Sequence, residues 1–244
     1  MPKFFVDAEA IRDGSLLLSG AQAEHLKVLR VREGEAVTVG ADGTDYRCTV
    51  EYAGSGSFRL QVLSSEPCLA EPDVAAVVYT GLPKGDKTET IIQKAVELGA
   101  ERVCFFLSSR CVARPDGKAM KGKLERWQKI AEAAAMQSYR GRIPEVTWLP
   151  DFASMLREAS GMDLRAFLWE EARALSLKGL MEQTGAFHSA ALITGPEGGF
   201  SAEEAAQAEK AGFAPVTLGR RILRCETAPL AALTAVMYHS GNLE

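Results

Sequence analysis

Nowhere in its 244 residues does the chain hold an apolar run approaching the roughly 20 residues that span a bilayer. The opening stretch MPKFFVDAEAIRDG also has no apolar core of the signal-peptide kind. A helical membrane protein is excluded, and the cytoplasm is the expected location. Histidine is scarce, at three residues, and the five cysteines (Cys48, Cys68, Cys104, Cys111, Cys225) are odd in number with no C-x-x-C pair. Neither a disulfide framework nor a metal site is expected from them, and they read as small core residues. Repeats and low-complexity tracts are missing too. Basic charge is not in excess, the net being −4, which argues against a surface that binds nucleic acid all over.

What is present is ordinary for a compact enzyme-sized protein, 47% hydrophobic and 25% charged. The charge is unevenly placed. Between Ser108 and Arg142 lie nine basic residues, among them Arg110, Arg114, Lys121 and Arg126, against three acidic ones. Such a stripe suffices to dock RNA, and a solvated helix face would read the same way.

The first 66 residues show short strand-like segments, FFV at 4–6, SLLL at 15–18, AVTV at 36–39, YRCTVE at 46–51 and FRLQVL at 58–63. Turn signals separate them and one helical patch interrupts them, which predicts a small β-barrel domain over 1–66. SSEPCLAEPD at 64–73, with two prolines, reads as the linker. From 73 to 244 apolar runs alternate with helical periods, the pattern of a mainly parallel sheet covered by helices. The candidate strands are 74–79, 103–107, 146–149, 165–169, 190–194 and 215–218. One helix is expected over 88–99, and another over 121–139 with Leu124, Trp127, Ala131 and Ala134 inward.

Two motifs carry chemistry. T-G-P-E-G-G-F-S at 194–201 follows a strand and precedes a helix that Ser201 and Glu204 can cap. A glycine-rich turn at the carboxyl end of a parallel strand is where α/β sheets place ligands. Glu197 within the turn would repel a phosphate, and the spacing fits neither dinucleotide nor triphosphate fingerprints. A cofactor without phosphate, such as S-adenosylmethionine, suits it better. The second motif, L-G-R-R-I-L-R-C-E-T-A-P-L-A-A-L at 218–233, puts Arg220, Arg221 and Arg224 in one loop before an apolar helix that Thr227 can cap. The three arginines make an anion site, although Glu226 is also available as a partner for Arg224.

GPEGGFS followed by LGRRILRCETA resembles the signature of the SPOUT-class methyltransferases that modify 16S ribosomal RNA at uridine N3, and the resemblance covers the whole chain. HLKVLRV at 25–31 resembles the RNA-binding stretch of that family's PUA-like barrel. KTETIIQKAVELGAERVCFFLSSR at 87–110 is similar to its first catalytic-domain unit, and EAAAMQSYR at 132–140 to its E-A-x-x-Q-S-x-R helix. The resemblance implies a PUA-like barrel, then an α/β domain whose C-terminal part is tied in a trefoil knot, a rare exception to unknotted chains. It implies a homodimer formed through the knot, ribosomal RNA or the small subunit as partner, and no metal. Cofactor contacts would come from three loops: Leu168, Trp169 and Glu170; Thr194, Gly195, Glu197, Gly198 and Gly199; and Leu218, Gly219, Ile222, Leu223 and Arg224. RNA would be met by His25, Arg30, Gln137 and Arg140 together with the basic stripe. Threonine usually stands in the family where this chain has Cys225, which reads as a structural substitution.

Uracil N3 is a poor nucleophile until its proton leaves, so the enzyme has to favour the developing anion. A guanidinium suits that task. Arg224 is the first candidate and Arg140 the second, while Glu197 either shapes the turn or takes the proton. Two other functions fit parts of the sequence. A non-catalytic RNA-binding or ribosome-assembly protein needs the barrel and stripe but not both motifs, and a nucleotide-dependent α/β transferase explains the sheet but not the Glu-containing turn.

Overall fold

The computed structural model describes residues 3–28, 30–54 and 56–243, without the side chains of Ala21, His25 and Ala53. The chain forms two compact units, 1–71 with 135–143, and 72–134 with 144–244.

The first unit is built on alternation. Strands β1 (Lys3–Phe5), β2 (Ser15–Leu18), β3 (Ala36–Ala41), β4 (Thr44–Gly54) and β5 (Ser57–Pro67) form one sheet in the order β1-β3-β4-β5-β2. Pairing is antiparallel except between β1 and β3. Every second residue points inward, Leu16 and Leu18, Val37 and Val39, Cys48 and Val50, Phe58 and Leu60, the period that a half-buried strand dictates. Helix α1 (Gly20–Val28) adds Ala23 and Leu26 to this core. Among the described residues no ladder joins β1 to β2, so the sheet is curled without being closed. The expected linker is partly strand, because β5 continues to Pro67 opposite Thr44 after a register shift between Arg47 and Cys48.

The segment 135–143 belongs to this unit through a buried ion pair. Arg140, 2% exposed, reaches the two carboxylate oxygens of Glu71 at 2.8 and 2.9 Å. Glu71 also accepts from the N–H groups of Gly141 (2.6 Å) and Arg142 (3.3 Å). Lys3, also buried, donates to the carbonyl of Tyr139 and pairs with Asp45. Burial opposes ionisation of Glu71, but Arg140 and the two N–H groups outweigh it and hold the carboxyl below its usual range. Glu71→Ala would strand the buried guanidinium. We expect a loss of about 3–5 kcal/mol, the usual cost of removing one partner of a buried pair, read from a urea titration. Because the folded-state pKa is depressed, the wild-type advantage is complete above the usual carboxylate range. It disappears as pH falls through the folded-state value, so the two proteins converge in acid.

The second unit carries a six-stranded parallel sheet ordered β11-β9-β10-β6-β7-β8. Its strands are β6 (Ala75–Gly81), β7 (Arg102–Phe106), β8 (Glu145–Leu149), β9 (Leu164–Leu168), β10 (Ser189–Thr194) and β11 (Ala214–Val216). The central strands β6 and β10 read as near-continuous apolar runs, as expected where both faces are covered. On one face α4 (Phe152–Ala159) and α6 (Ala202–Lys210) pack over Tyr79, Phe106, Phe167 and Ile193. Helices α2 (Lys87–Glu97), α5 (Leu177–Thr184) and α7 (Thr227–His239) contact the sheet as well, α2 at β7, α5 at β9 and β11, and α7 at β6 and β10. Helix α3 (Gly117–Gln137) buries Met120, Trp127, Ala131 and Ala134 at helical spacing.

The chain first winds outward through β7 and β8, then crosses to β9 and inserts β10 beside β6. The sheet therefore reverses direction at β6/β10, the kind of switch point where α/β sheets bind ligands. The two ends of the loop after β9 are pinned to consecutive residues, one to Val216 and the other to Thr217. Trp169 donates its N–H to Val216, and the backbone of Thr217 exchanges hydrogen bonds with Leu175 and Leu177.

Candidate functional site

At the carboxyl ends of β9, β10 and β11 three segments enclose a cavity of about 820 Å³, within the ordinary range for small-molecule sites. All the residues expected to meet a cofactor line it: Leu168, Trp169 and Glu170; Thr194, Gly195, Glu197, Gly198 and Gly199; Leu218, Gly219, Ile222, Leu223 and Arg224. Pro196 and Cys225, from within the two motifs, line it too, as does Arg173, which had no distinguishing mark in the sequence.

The glycine-rich turn is anchored at both ends. The buried Thr194 hydroxyl lies 2.9 Å from that of Thr80 on β6. Phe200 is buried against Phe167, with ring centroids 4.4 Å apart, and stacks on Phe106. Ser201 and Glu204 form the expected capping box at the start of α6, and Glu204 also accepts from the N–H of Ser109 at 2.7 Å. Between the anchors the turn closes on itself, Gly199 N–H to Pro196 carbonyl at 2.9 Å. Gly199 has φ +65°, and a Cβ there would run into the carboxylate of Glu170. A Cβ on Gly195 would come within 3.0–3.3 Å of the Gly199 backbone. Glycine is thus required by conformation at one position and by close approach at both.

Of the two roles expected for Glu197, its surroundings favour shaping the turn. Its Oε1 accepts from the Lys84 N–H at 3.0 Å and from Lys87 Nζ at 2.9 Å. Burial pushes its pKa up, but these donors prevail and hold the carboxyl below the usual range. An ionised, already paired carboxylate is a weak proton acceptor, so shaping the turn is the role its surroundings favour. The same pairing weakens charge repulsion by Glu197 as the reason to exclude phosphate. What disfavours phosphate instead is that Gly199 N–H is engaged inside the turn, while Glu170 puts a second carboxylate against it; a phosphate cradle needs convergent free N–H groups.

The arginine loop corrects a second expectation. Glu226 does not pair with Arg224: its Oε2 lies 3.5 Å from Lys87 Nζ and accepts from the Cys225 thiol at 3.2 Å. Arg224 is exposed at the cavity, and among the described residues its guanidinium has neither hydrogen bond nor ion pair. Thr227 is the first residue of α7 and not its cap. The start of the helix is secured by the Arg224 carbonyl, which accepts from Thr227 and Ala228 at 2.8 and 2.9 Å. Burial pushes the Cys225 thiol up to about 11, so it stays protonated and is no thiolate nucleophile.

The expected RNA-facing residues are scattered. Arg30 and Gln137 are exposed in the first unit, and the side chain of His25 lies outside the described residues. Arg140, the second catalytic candidate, is the buried partner of Glu71, which makes it an anchor of the first unit. In the stripe, Lys121 is exposed, Arg126 pairs with Glu89, and Arg114 donates to the carbonyls of Ser108 and Ser109. Arg110 belongs to the glycine turn: its stem packs on Gly198 and its guanidinium donates to the Gly198 carbonyl at 2.9 Å. Among the described residues no cluster of three or more His, Cys, Asp or Glu is placed to hold a metal, and no helix is long and apolar enough to cross a membrane.

A cavity at the carboxyl ends of β9, β10 and β11 of a parallel sheet, in one chain with a curled β-domain, defines the class: residues 70–237 match the RNA methyltransferase domain family, and residues 18–63 the RNA methyltransferase PUA domain. Relatives over nearly the full length narrow it further. The chain is 36% identical over 243 residues to the ribosomal RNA small subunit methyltransferase E of Mycobacterium bovis, covering 96% of this chain and 90% of that one. It is 33% identical over 232 residues to the protein of that name from Bacillus subtilis, covering 93% and 91%. Its fold is similar to the crystal structure of the Neisseria gonorrhoeae ribosomal RNA small subunit methyltransferase E bound to S-adenosyl methionine, with a TM-score of 0.85, 30% identity and 98% of each chain covered. The chain belongs to the ribosomal RNA small subunit methyltransferase E family.

Proposed function

We propose that this protein transfers a methyl group from S-adenosylmethionine to N3 of an unpaired uridine in 16S ribosomal RNA. The observation that carries this reading is the exposed guanidinium of Arg224, without a hydrogen-bond or ion-pair partner among the described residues, on a cavity that suits a nucleoside without phosphate. The fit rests on the size of the cavity and its aliphatic lining by Leu168, Leu218 and Leu223. It rests also on the Glu170 carboxylate against Gly199, and on the buried indole N–H of Trp169, which has no hydrogen-bond partner among the described residues. The segments 168–170, 194–199 and 218–224 would hold the cofactor. When bound, it supplies a methyl group already activated by the sulfonium.

The protein's own contribution is orientation and charge. The pinned turn and loop fix the walls against which the base is aligned. Arg224 stabilises the charge that spreads to O2 and O4 as the N3 proton leaves, and its planar fork can meet an oxygen without first breaking an ion pair. N3 is on the pairing edge, so the uridine reacts unpaired or flipped out. Arg30, Gln137, Lys121, Arg114 and their basic neighbours steer the RNA. Val216 and Thr217, to which the two ends of the loop after β9 are bonded, are where the crossing of a trefoil knot would lie. A homodimer assembles through that region, and the enzyme works in the cytoplasm.

Calorimetry with S-adenosylmethionine, S-adenosylhomocysteine, NAD and ATP, followed by mass mapping of methylated 16S RNA, tests the reading. We expect binding of the first two alone and N3-methyluridine as the product. Binding of NAD or ATP in their place, or a methyl group on another atom, would overturn it.

A further inference from the structure

Lys87 is the first residue of α2, where the helix dipole disfavours a cation and an acidic residue would be stabilising. Its position is explained by what it reaches. Nζ lies 2.9 Å from Glu197 in the glycine turn, 3.5 Å from Glu226 in the arginine loop and 3.6 Å from the Cys225 sulfur. One ammonium thus joins two segments that are separated from it by more than a hundred residues.

We infer that Lys87 is a positioning residue for methyl transfer: by engaging Glu226 it keeps that carboxylate away from Arg224, whose guanidinium stays free for the substrate. Glu226 is two residues from Arg224 and is the acidic group nearest to it along the chain. Without a competing cation it would be the natural partner, since an arginine fork binds a carboxylate with two parallel hydrogen bonds. Instead, Glu226 faces Lys87 and the Cys225 thiol, and Glu197 faces Lys87 and the Lys84 N–H. The Glu226 carboxyl lies below its usual range despite burial, so it is charged and able to capture Arg224 if released, while Glu197 keeps the Lys84 N–H as a second donor.

This inference rests on the role proposed for Arg224. The test compares Lys87→Met, Lys87→Arg and the double variant Lys87→Met/Glu226→Gln in single-turnover methylation of 16S RNA. Cofactor and RNA are saturating, and cofactor affinity is measured in parallel. Lys87→Met should react about tenfold or more slowly, short of the roughly 10²–10³-fold expected for losing the guanidinium itself. Cofactor affinity should fall much less than the rate. Lys87→Arg should stay near wild type because the charge is kept. The double variant should regain most of the rate, since the neutral amide no longer binds Arg224 as an ion. A brace that merely holds two loops together predicts the opposite, because removing Glu226 as well restores no contact. Wild-type rate in Lys87→Met, or a double variant as slow as the single one, would overturn the inference. If Arg224→Ala reacts at the wild-type rate, the reading of Arg224 fails; if it is slow while Lys87→Met is not, only the role of Lys87 fails.

Discussion

Arg224→Ala is expected to lower the single-turnover rate roughly 10²–10³-fold with both ligands saturating, the loss typical of removing one donor aimed at developing negative charge. Either ligand should bind nearly as before. The expectation follows from the surroundings of the residue: Arg224 is exposed on the cavity, has no partner among the described residues, and its neighbour Glu226 is held by Lys87. A guanidinium without a hydrogen bond or ion pair among the described residues contributes little to the fold, so its deletion registers in the chemical step. Raising the pH should recover part of the rate, because base in solution then supplies the uridine anion that the arginine normally favours. Lysine at 224 should rescue less than its charge suggests, since it lacks the planar fork. Wild-type reactivity of the alanine variant would end the catalytic assignment.

Gly199→Val should abolish binding of S-adenosylmethionine while the protein stays folded. Two independent effects act at one position. With φ at +65°, a side chain there imposes strain of about 1–3 kcal/mol. The Cβ would also collide with the Glu170 carboxylate, displacing one cavity wall against another. The anchors on either side, Thr194 on Thr80 and Phe200 in the aromatic core, are untouched, and for that reason the damage stays in the turn. Gly199→Ala should keep the strain and most of the collision and fall between wild type and valine. Calorimetry gives the affinity and circular dichroism the fold; unchanged affinity in a folded valine variant would remove this turn from the cofactor site.

The elements were readable because their signals are local. Alternation in 36–39 and 58–63 and apolar runs at 74–79 and 190–194 announce half-buried and fully buried strands, and observed ends differ by a few residues at most. The exception is the linker: Ser64–Pro67 carry no strand periodicity, yet they pair with residues 44–47 of β4 because the long hairpin offers a partner. The two motifs were readable as well, since glycine, glutamate and arginine at fixed spacing mark a turn and an anion loop without reference to anything distant.

What the sequence by itself determined is therefore a strand-rich first part, an α/β second part and the two motifs after β10 and β11; that 135–143 joins the first unit, and that 168–170 meets those motifs at one cavity, was decided by the fold. Which charges pair was decided by tertiary structure alone. Arg140 looked like a functional arginine and is held by Glu71, 69 residues away; Glu226 looked like the partner of Arg224 and faces Lys87; Glu197 is satisfied from the start of α2, 110 residues away. An ion pair depends on position in space and leaves no period along the chain. Backbone propensity and apolar patterning act over a few residues and are legible there. The charge state and freedom of each site residue depend on which distant side chain the fold brings within about 4 Å.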